Sequence, residues 1–308
     1  GVAIAAGRYT TITMNGGNIE NNTDLCTGVS GKYSLGGGIY LNGAQSQLIM
    51  KDGAIANNTA KGGGGGIYVD ASASCELTGG VISNNKAATN GGGAYVLGEM
   101  KLSGAKISEN TVESSKRTAG SACGGGIYIA DWDNSQTGSA RNYGTVYMTG
   151  GSIEKNQVIS TVESNDNQIS IGQGGGIYSA GRFEMSGGTI EANKAVSSNS
   201  LDGMIACGGG VSLRGGNAPG EMKMSGGRIQ GNDAGNTGGG IQVNSKEVTS
   251  ESIVDEDEIS AISGNAKLCI EGSAMVSENT GNQEDDNIYL PRNAEVWISG
   301  ALQNNAEI

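Results

Sequence analysis

The five residues Gly36-Gly37-Gly38-Ile39-Tyr40, GGGIY, return at 64–68, 124–128 and 174–178, with GGGAY at 91–95, GGGVS at 208–212, GGGIQ at 238–242 and a degenerate NIYL at 287–290. A second block, apolar-x-Met-x-Gly-Gly-x-Ile-x-x-Asn, alternates with it. It reads ITMNGGNIENN at 12–22, LIMKDGAIANN at 48–58, CELTGGVISNN at 75–85, MKLSGAKISEN at 100–110 and VYMTGGSIEKN at 146–156. It continues as FEMSGGTIEAN at 183–193, MKMSGGRIQGN at 222–232, CIEGSAMVSEN at 269–279 and VWISGALQNN at 296–305. A fixed internal period governs the choice of fold before any local propensity does, and the unit here is the pair of blocks.

Without insertions one pair occupies about 25 to 28 residues, as the closing Asn moves from Asn58 to Asn85 to Asn110. Each pair holds three short apolar/polar alternations, for example Ile67-Tyr68-Val69, Cys75-Glu76-Leu77 and Val81-Ile82-Ser83, separated by Gly and Asn turn signals. Three strands per unit predict one coil of a right-handed parallel β-helix. About nine coils stacked at about 4.8 Å make a single domain over 1–308, a rod roughly 40 Å long. In each Ile-Tyr-Val strand the flanking aliphatics point inward and the tyrosine outward. The glycines supply positive φ or close backbone approach at a corner. The closing Asn22, Asn58, Asn85, Asn110, Asn156, Asn193, Asn232, Asn279 and Asn305 are expected to turn the chain in the left-handed conformation, with their amides linked in an internal ladder.

Composition agrees with a thin, repetitive interior. The 308 residues include 56 Gly and 2 Pro, 16% are charged and 4% aromatic. Gly without an every-third-residue period and with so little Pro excludes collagen and Pro-rich linkers. A net charge of −12 without a basic patch argues against nucleic acid and anionic membranes as partners. There is no apolar run of membrane-spanning length, and GVAIAAGRYT lacks the form of a signal peptide. Histidine is absent, which removes Ser-His-Asp and Cys-His catalysis and His-ligated metals. Cys26, Cys75, Cys123, Cys207 and Cys269 form neither CxxC pairs nor an even set. Cys75 takes an inward slot and Cys123 and Cys207 lie two coil steps apart, too far for a disulfide, so free thiols are expected.

The segments Ile-x-x-Asn-x-Ala, as in Ile82-Ser83-Asn84-Asn85-Lys86-Ala87 and Ile190-Glu191-Ala192-Asn193-Lys194-Ala195, followed by GGGIY, resemble bacterial surface β-helix repeats. These are the repeats of the polymorphic outer-membrane protein family and of the large repeat-bearing surface proteins of Gram-positive gut bacteria. The resemblance covers residues 12 to 305. It implies an extracellular or cell-surface β-helix associated with adhesion. With bare first and last coils, the chain reads as one module of a longer surface or secreted protein.

Two outer columns follow from the period. Tyr40, Tyr68, Tyr95, Tyr128 and Tyr178, then Ser212, Gln242 and Tyr289, form a row of rings that either stacks on sugars or packs on itself as a ladder. Thr13, Ile49, Glu76, Lys101, Tyr147, Glu184, Lys223, Cys269 and Trp297 form a solvated row in which Glu76 and Lys101, and Glu184 and Lys223, are expected to pair. Three insertions interrupt the repeat, at 131–143, from Gln157 to Gln173 and from Asn244 to Lys267. The first carries Asp131, Trp132, Asp133, Arg141 and Tyr143, a mix suited to gripping a sugar. The expected function is therefore a non-catalytic, monomeric adhesin-like or carbohydrate-recognition module with a glycan or a host matrix surface as partner and no cofactor. A polysaccharide lyase or glycoside hydrolase using Asp70, Asp131 and Asp133 is the alternative, and a structural stalk a further one. Calcium is possible but not indicated, because Asp255-Glu256-Asp257-Glu258 lacks the spacing of a calcium loop.

Overall fold

A computed structural model describes residues 2–24, 35–114, 122–132, 142–161, 171–197, 205–215, 219–244, 266–291, 294–303 and 306–308. Among these every regular element is a strand, and the strands assemble into long parallel sheets stacked as in a solenoid.

The first sheet has nine strands, from Ile4–Ala6 and Ile39–Leu41 to Val211–Leu213, Ile241–Val243 and Ile288–Tyr289. It is the tyrosine sheet, because its register puts Tyr40, Tyr68, Tyr95, Tyr128, Tyr178, Ser212, Gln242 and Tyr289 side by side. A second sheet carries two strands from each repeat, joined by a Gly-Gly turn, as in Ser74–Leu77 and Val81–Ser83. A third holds short strands such as Lys86–Ala87 and Thr111–Ser114 that follow the closing Asn. A repeat thus holds four strand segments where the sequence pattern shows three. The fourth is only two to four residues long, too short for alternation to register.

Period-2 alternation decides which side chains enter the interior. Ile67, Val69, Cys75, Leu77 and Ile82 are at most 1% exposed, and their counterparts in neighbouring repeats form one continuous aliphatic core. Phe183, the single Phe of the chain, is fully buried in that core between Val146 and Met222. Glycine triplets fit because neighbouring backbones touch there. Gly64 has φ +71°, and a Cβ on Gly65 would sit 2.3 Å from the carbonyl of Gly92 in the next repeat.

The asparagine ladder forms from Asn22 through Asn58, Asn85, Asn110, Asn156, Asn193 and Asn232 to Asn279. Each Nδ2 donates to the next Oδ1 at 2.9 to 3.0 Å. That same Oδ1 accepts the backbone N–H of the preceding ladder residue, as Asn110 does from Asn85 at 3.0 Å. The second Nδ2 hydrogen goes to an Ile carbonyl one repeat back, for Asn110 that of Ile82 at 2.9 Å. Buried amides so placed leave nothing unpaired. Beyond Asn279 the next member is Asn287, at 3.1 Å, where the sequence pattern points to Asn305, which lies outside the described residues.

The left-handed turn falls one residue earlier than expected. Positive φ belongs to Asn21, Asn57, Asn84, Glu109, Lys155, Ala192 and Glu278, and to Gly231, each directly before a ladder Asn. Turning at that residue frees the following Asn to direct its amide along the stack.

Candidate functional site

The uniform and variable corners of the repeat locate the site. The Gly-Gly turn keeps three residues at 78–80, 103–105, 149–151, 186–188 and 225–227 and gains one at 271–274, while the Asn corner at 84–85, 109–110, 155–156, 192–193, 231–232 and 278–279 keeps one length. Every large insertion leaves from the two corners that flank the tyrosine sheet. Segments 25–34, 115–121, 162–170 and 198–204 precede tyrosine-sheet strands, and 133–141 and 245–265 follow them. The Gln157 to Gln173 insertion is shorter than the sequence pattern indicates. Gln157–Ser160 is a strand of the third sheet and Ile171–Gln173 a strand of the small sheet that also holds Ala122–Cys123 and Ile205–Cys207.

On the tyrosine sheet the rings pack on one another. Tyr68 and Tyr95, Tyr95 and Tyr128, and Tyr128 and Tyr178 are stacked with centroids 4.8, 4.8 and 5.2 Å apart, while Tyr40 meets Tyr68 edge-on at 5.3 Å. Tyr68 and Tyr178 are buried, and Tyr40, Tyr95 and Tyr128 keep partial exposure. Stacking consumes ring faces, so the surface shows ring edges and hydroxyls. Burial is the main cause that raises the phenol pKa values of Tyr40, Tyr68 and Tyr128. Asp70 adds to it at Tyr40, Tyr95 and Asp70 at Tyr68, and Tyr178 at Tyr128. Tyr95 is pushed up to about 12 by burial and then by Asp131.

Past Tyr178 the row turns polar and buried at Ser212 and Gln242 and ends at the exposed Tyr289. Thr237 Oγ1 donates to Gln242 Oε1 at 2.8 Å, Gln242 Nε2 to Asn244 Oδ1 at 3.2 Å, and Asn244 Nδ2 to Ser212 Oγ at 3.1 Å.

The candidate carboxylates are engaged. Both oxygens of Asp131 accept from Arg214, Nη1 at 2.6 Å and Nη2 at 2.7 Å, and each side chain is 13% exposed. Asp70 Oδ1 accepts the N–H of Ala71 at 2.8 Å. Asp70 and Asp131 are not neighbours, since the strand ending in Val96 lies between theirs. Asp133 and Arg141 lie outside the described residues, as do the side chain of Trp132 and Cys26. Tyr143 is 44% exposed and stands opposite Asp131 in the short antiparallel pair Asp131–Trp132 with Asn142–Tyr143. Arg214 is the residue that pattern reading missed. An 83-residue separation made of unequal insertions hides its approach to Asp131.

The second outer column keeps its expected register from Thr13 to Trp297, but its ion pairs differ. Lys101 pairs with Glu99 of its own strand at 3.0 Å, and Lys223 with Glu271 at 2.9 Å. Long flexible side chains reach along a strand as easily as across it, and exposed pairs of this kind, screened by solvent, contribute little. Cys75, Cys123 and Cys207 are buried thiols in no disulfide, with Gln173 between the last two; Cys269 is a half-buried thiol in no disulfide. Burial raises the Cys207 thiol to about 12, so it stays protonated and inert at neutral pH. Among the described residues no group of three acidic or cysteine side chains is placed to hold a metal.

The fold and site define the class as an all-β, parallel-stranded, solenoid-like protein with its variable segments gathered around one sheet. Compared with protein-family models, curated proteins and solved structures, the chain matches none.

Proposed function

We propose that the chain is a right-handed parallel β-helix of about nine coils acting as a non-catalytic carbohydrate-recognition or adhesin-like module of a bacterial surface or secreted protein. The observation that carries this reading is the confinement of the long insertions to the two corners beside the tyrosine sheet, while the Asn corner keeps one length and the Gly-Gly turn gains a single residue at 271–274. Solenoids tolerate insertions at any corner, so a one-sided distribution marks the face on which variation is useful. The partly exposed phenols of Tyr40, Tyr95 and Tyr128, the last two stacked at 4.8 Å, together with Tyr143 opposite Asp131, offer hydrogen bonds and ring edges to a chain of sugars. The engagement of Asp131 by Arg214 favours recognition over cleavage, because hydrolysis of a glycosidic bond needs a carboxylate free to accept or give a proton.

The test is binding of the purified monomeric chain to an array of host, plant and microbial glycans. It runs beside a variant with residues 133–141 replaced by a short Gly-Ser turn and a Tyr143→Ser variant. The reading expects a bound class of glycans and a loss of binding in both variants with the circular dichroism unchanged. Absence of binding to any glycan would remove it in favour of a stalk or a protein ligand.

A further inference from the structure

We propose that Tyr95 and Tyr128 form an oxidative modification site, at which a haem oxidant driven by peroxide joins the two rings by a carbon–carbon bond and staples two neighbouring repeats. The site does not rest on the carbohydrate-recognition reading, since it depends on how the rings stand to one another and not on what they bind.

Register brings the rings together. Tyr95 and Tyr128 are direct partners in the adjacent parallel strands Ala94–Val96 and Ile127–Ile129, whose inward side chains are fully buried and fix the pair from below. The ring centroids lie 4.8 Å apart. Two reactants held at that separation need only a local motion to meet. Outside the column, tyrosines stand beside other residue types. Tyr147 lies between Lys101 and Glu184, Tyr143 is opposite Asp131, and Tyr289 is beside Gln242.

Within the column, access and orientation single out this pair. Both rings keep partial exposure, whereas Tyr68 and Tyr178 are each 6% exposed, so every other ring contact of the column has one member withdrawn from an oxidant. The planes of Tyr95 and Tyr128 are 28° from parallel, against 13° for Tyr68 with Tyr95 and 6° for Tyr128 with Tyr178. The difference matters because coupling joins ring edges and not faces. Rotation of a phenol about Cβ–Cγ is a soft, two-fold torsion, and turning both rings sets one Cε of each against the other along the stack while the strands stay in place. Tyr40 already stands at 78° to Tyr68, so the column admits a ring turned in this way.

The chemistry balances with one peroxide. Each phenol gives up one electron and its hydroxyl proton to become a phenoxyl radical. The two radicals couple Cε to Cε, and the hydrogen on each of those carbons moves to the neighbouring oxygen, which restores both rings as a biphenol. Through the haem, the two electrons and two protons reduce hydrogen peroxide to two waters. The link closes the chain between two repeats and restricts the unfolded state as other covalent cross-links do.

The full chain is treated with hydrogen peroxide and a small haem peptide, both folded and unfolded in urea, then digested with trypsin. The tryptic peptides that carry Tyr95 and Tyr128 hold no other tyrosine, so their union is unambiguous in a mass spectrum. The folded chain is expected to stay monomeric and to yield the two peptides as one species, two hydrogens lighter than their sum. That species is expected to vanish in Tyr95→Phe and in Tyr128→Phe, and in the unfolded chain to fall to the level of any other tyrosine pair. Consumption of Tyr9, which is 74% exposed, without this species would overturn the site, as would biphenol confined to links between chains. A folded chain that joins Tyr68 to Tyr95 or Tyr128 to Tyr178 instead would overturn the choice of pair. Should the Phe variants fail to fold, the contrast between the folded and the unfolded chain decides by itself, and equal yields in the two would overturn the proposal.

Discussion

The residue that turns the chain before each ladder asparagine is a natural mutational series. The same left-handed φ of 53° to 61° is occupied by Asn, Glu, Lys, Ala and Gly. A side chain with a Cβ pays roughly 1 kcal/mol for that conformation, Asn less, Gly nothing. Gly231 has nothing within 4 Å of its absent Cβ, so Gly231→Ala isolates the backbone term. It should lower stability by about 1 kcal/mol, and Ala192→Gly should raise it by a similar or somewhat smaller amount once unfolded-chain entropy is counted. Urea midpoints of the two variants check this, and equal effects of the same sign would show that something other than φ sets the turn. At Gly125 the cause is different. A Cβ would lie 2.3 Å from the Gly175 carbonyl, and Gly125→Ala should cost several times as much as Gly231→Ala, on the order of 3 kcal/mol or more. Which residue of the Asn pair turns was not legible in the sequence, because Asn84 and Asn85 are chemically alike and only the inward hydrogen bonds tell them apart.

Two ladders run along the molecule as elements in their own right, one of amides inside and one of phenols outside. Deleting one rung of the inner ladder leaves partners on both sides. Asn110→Ala strands the N–H and one Nδ2 hydrogen of Asn85 and the carbonyl of Ile82, and takes from the Oδ1 of Asn156 one of its two donors, all in a dry interior. A loss of about 3 to 5 kcal/mol is expected, against about 1 kcal/mol for Asn22→Ala at the partly buried end. The outer ladder sets the alkaline limit. Its phenols are raised above the ordinary 10.0, Tyr95 to about 12, so the unfolded chain gives up these protons first. Their contribution is fully present below pH 10 and is lost as pH rises through 10 toward 12 and beyond. Phenolate absorbance and circular dichroism should therefore change together above pH about 11 for the stacked tyrosines. Both ladders were legible as columns, because a repeat of fixed length places equal positions above one another. That the rings pack on one another was one of the two outcomes the column allowed; the burial of Tyr68 and Tyr178 was not legible, since what covers an outward side chain is set by contacts the repeat does not encode. The approach of Arg214 to Asp131 was hidden for the same reason.

For the whole molecule, a core that runs along the stack instead of around one centre has consequences. Contacts run mainly between neighbouring repeats, so stability is close to the sum of repeat and interface contributions, and one repeat can be removed if the register is kept. Residues 86–110 form such a unit, because Asn85 and Asn110 are 25 residues apart with no insertion between. Their deletion would seat Asn85 on Asn156, Tyr68 on Tyr128 and Leu77 on Met148, each pair alike in kind to the contact it replaces. The Gly65 backbone would meet Gly125 as it now meets Gly92, which itself meets Gly125. Lost with the repeat are one rung of each ladder and the surface pairs Lys86 with Glu113 and Lys106 with Glu154. The exposed Lys86 pair contributes little, whereas Glu154, whose side chain is 13% exposed, gives up the Lys106 ammonium and keeps Ser152. The shortened chain should fold with unchanged strand content and a urea midpoint only modestly lower, its tyrosine stack reduced by one ring. A deletion of residues 86–98 makes the contrasting case. It would place the second-sheet strand Glu99–Leu102 where Lys86–Ala87 belongs, breaking the ladder and setting Met100 and Leu102 against a surface register. Loss of strand content in the half-repeat deletion but not in the whole-repeat one is the expected outcome. Equal tolerance of both would mean that the columns do not hold the stack together.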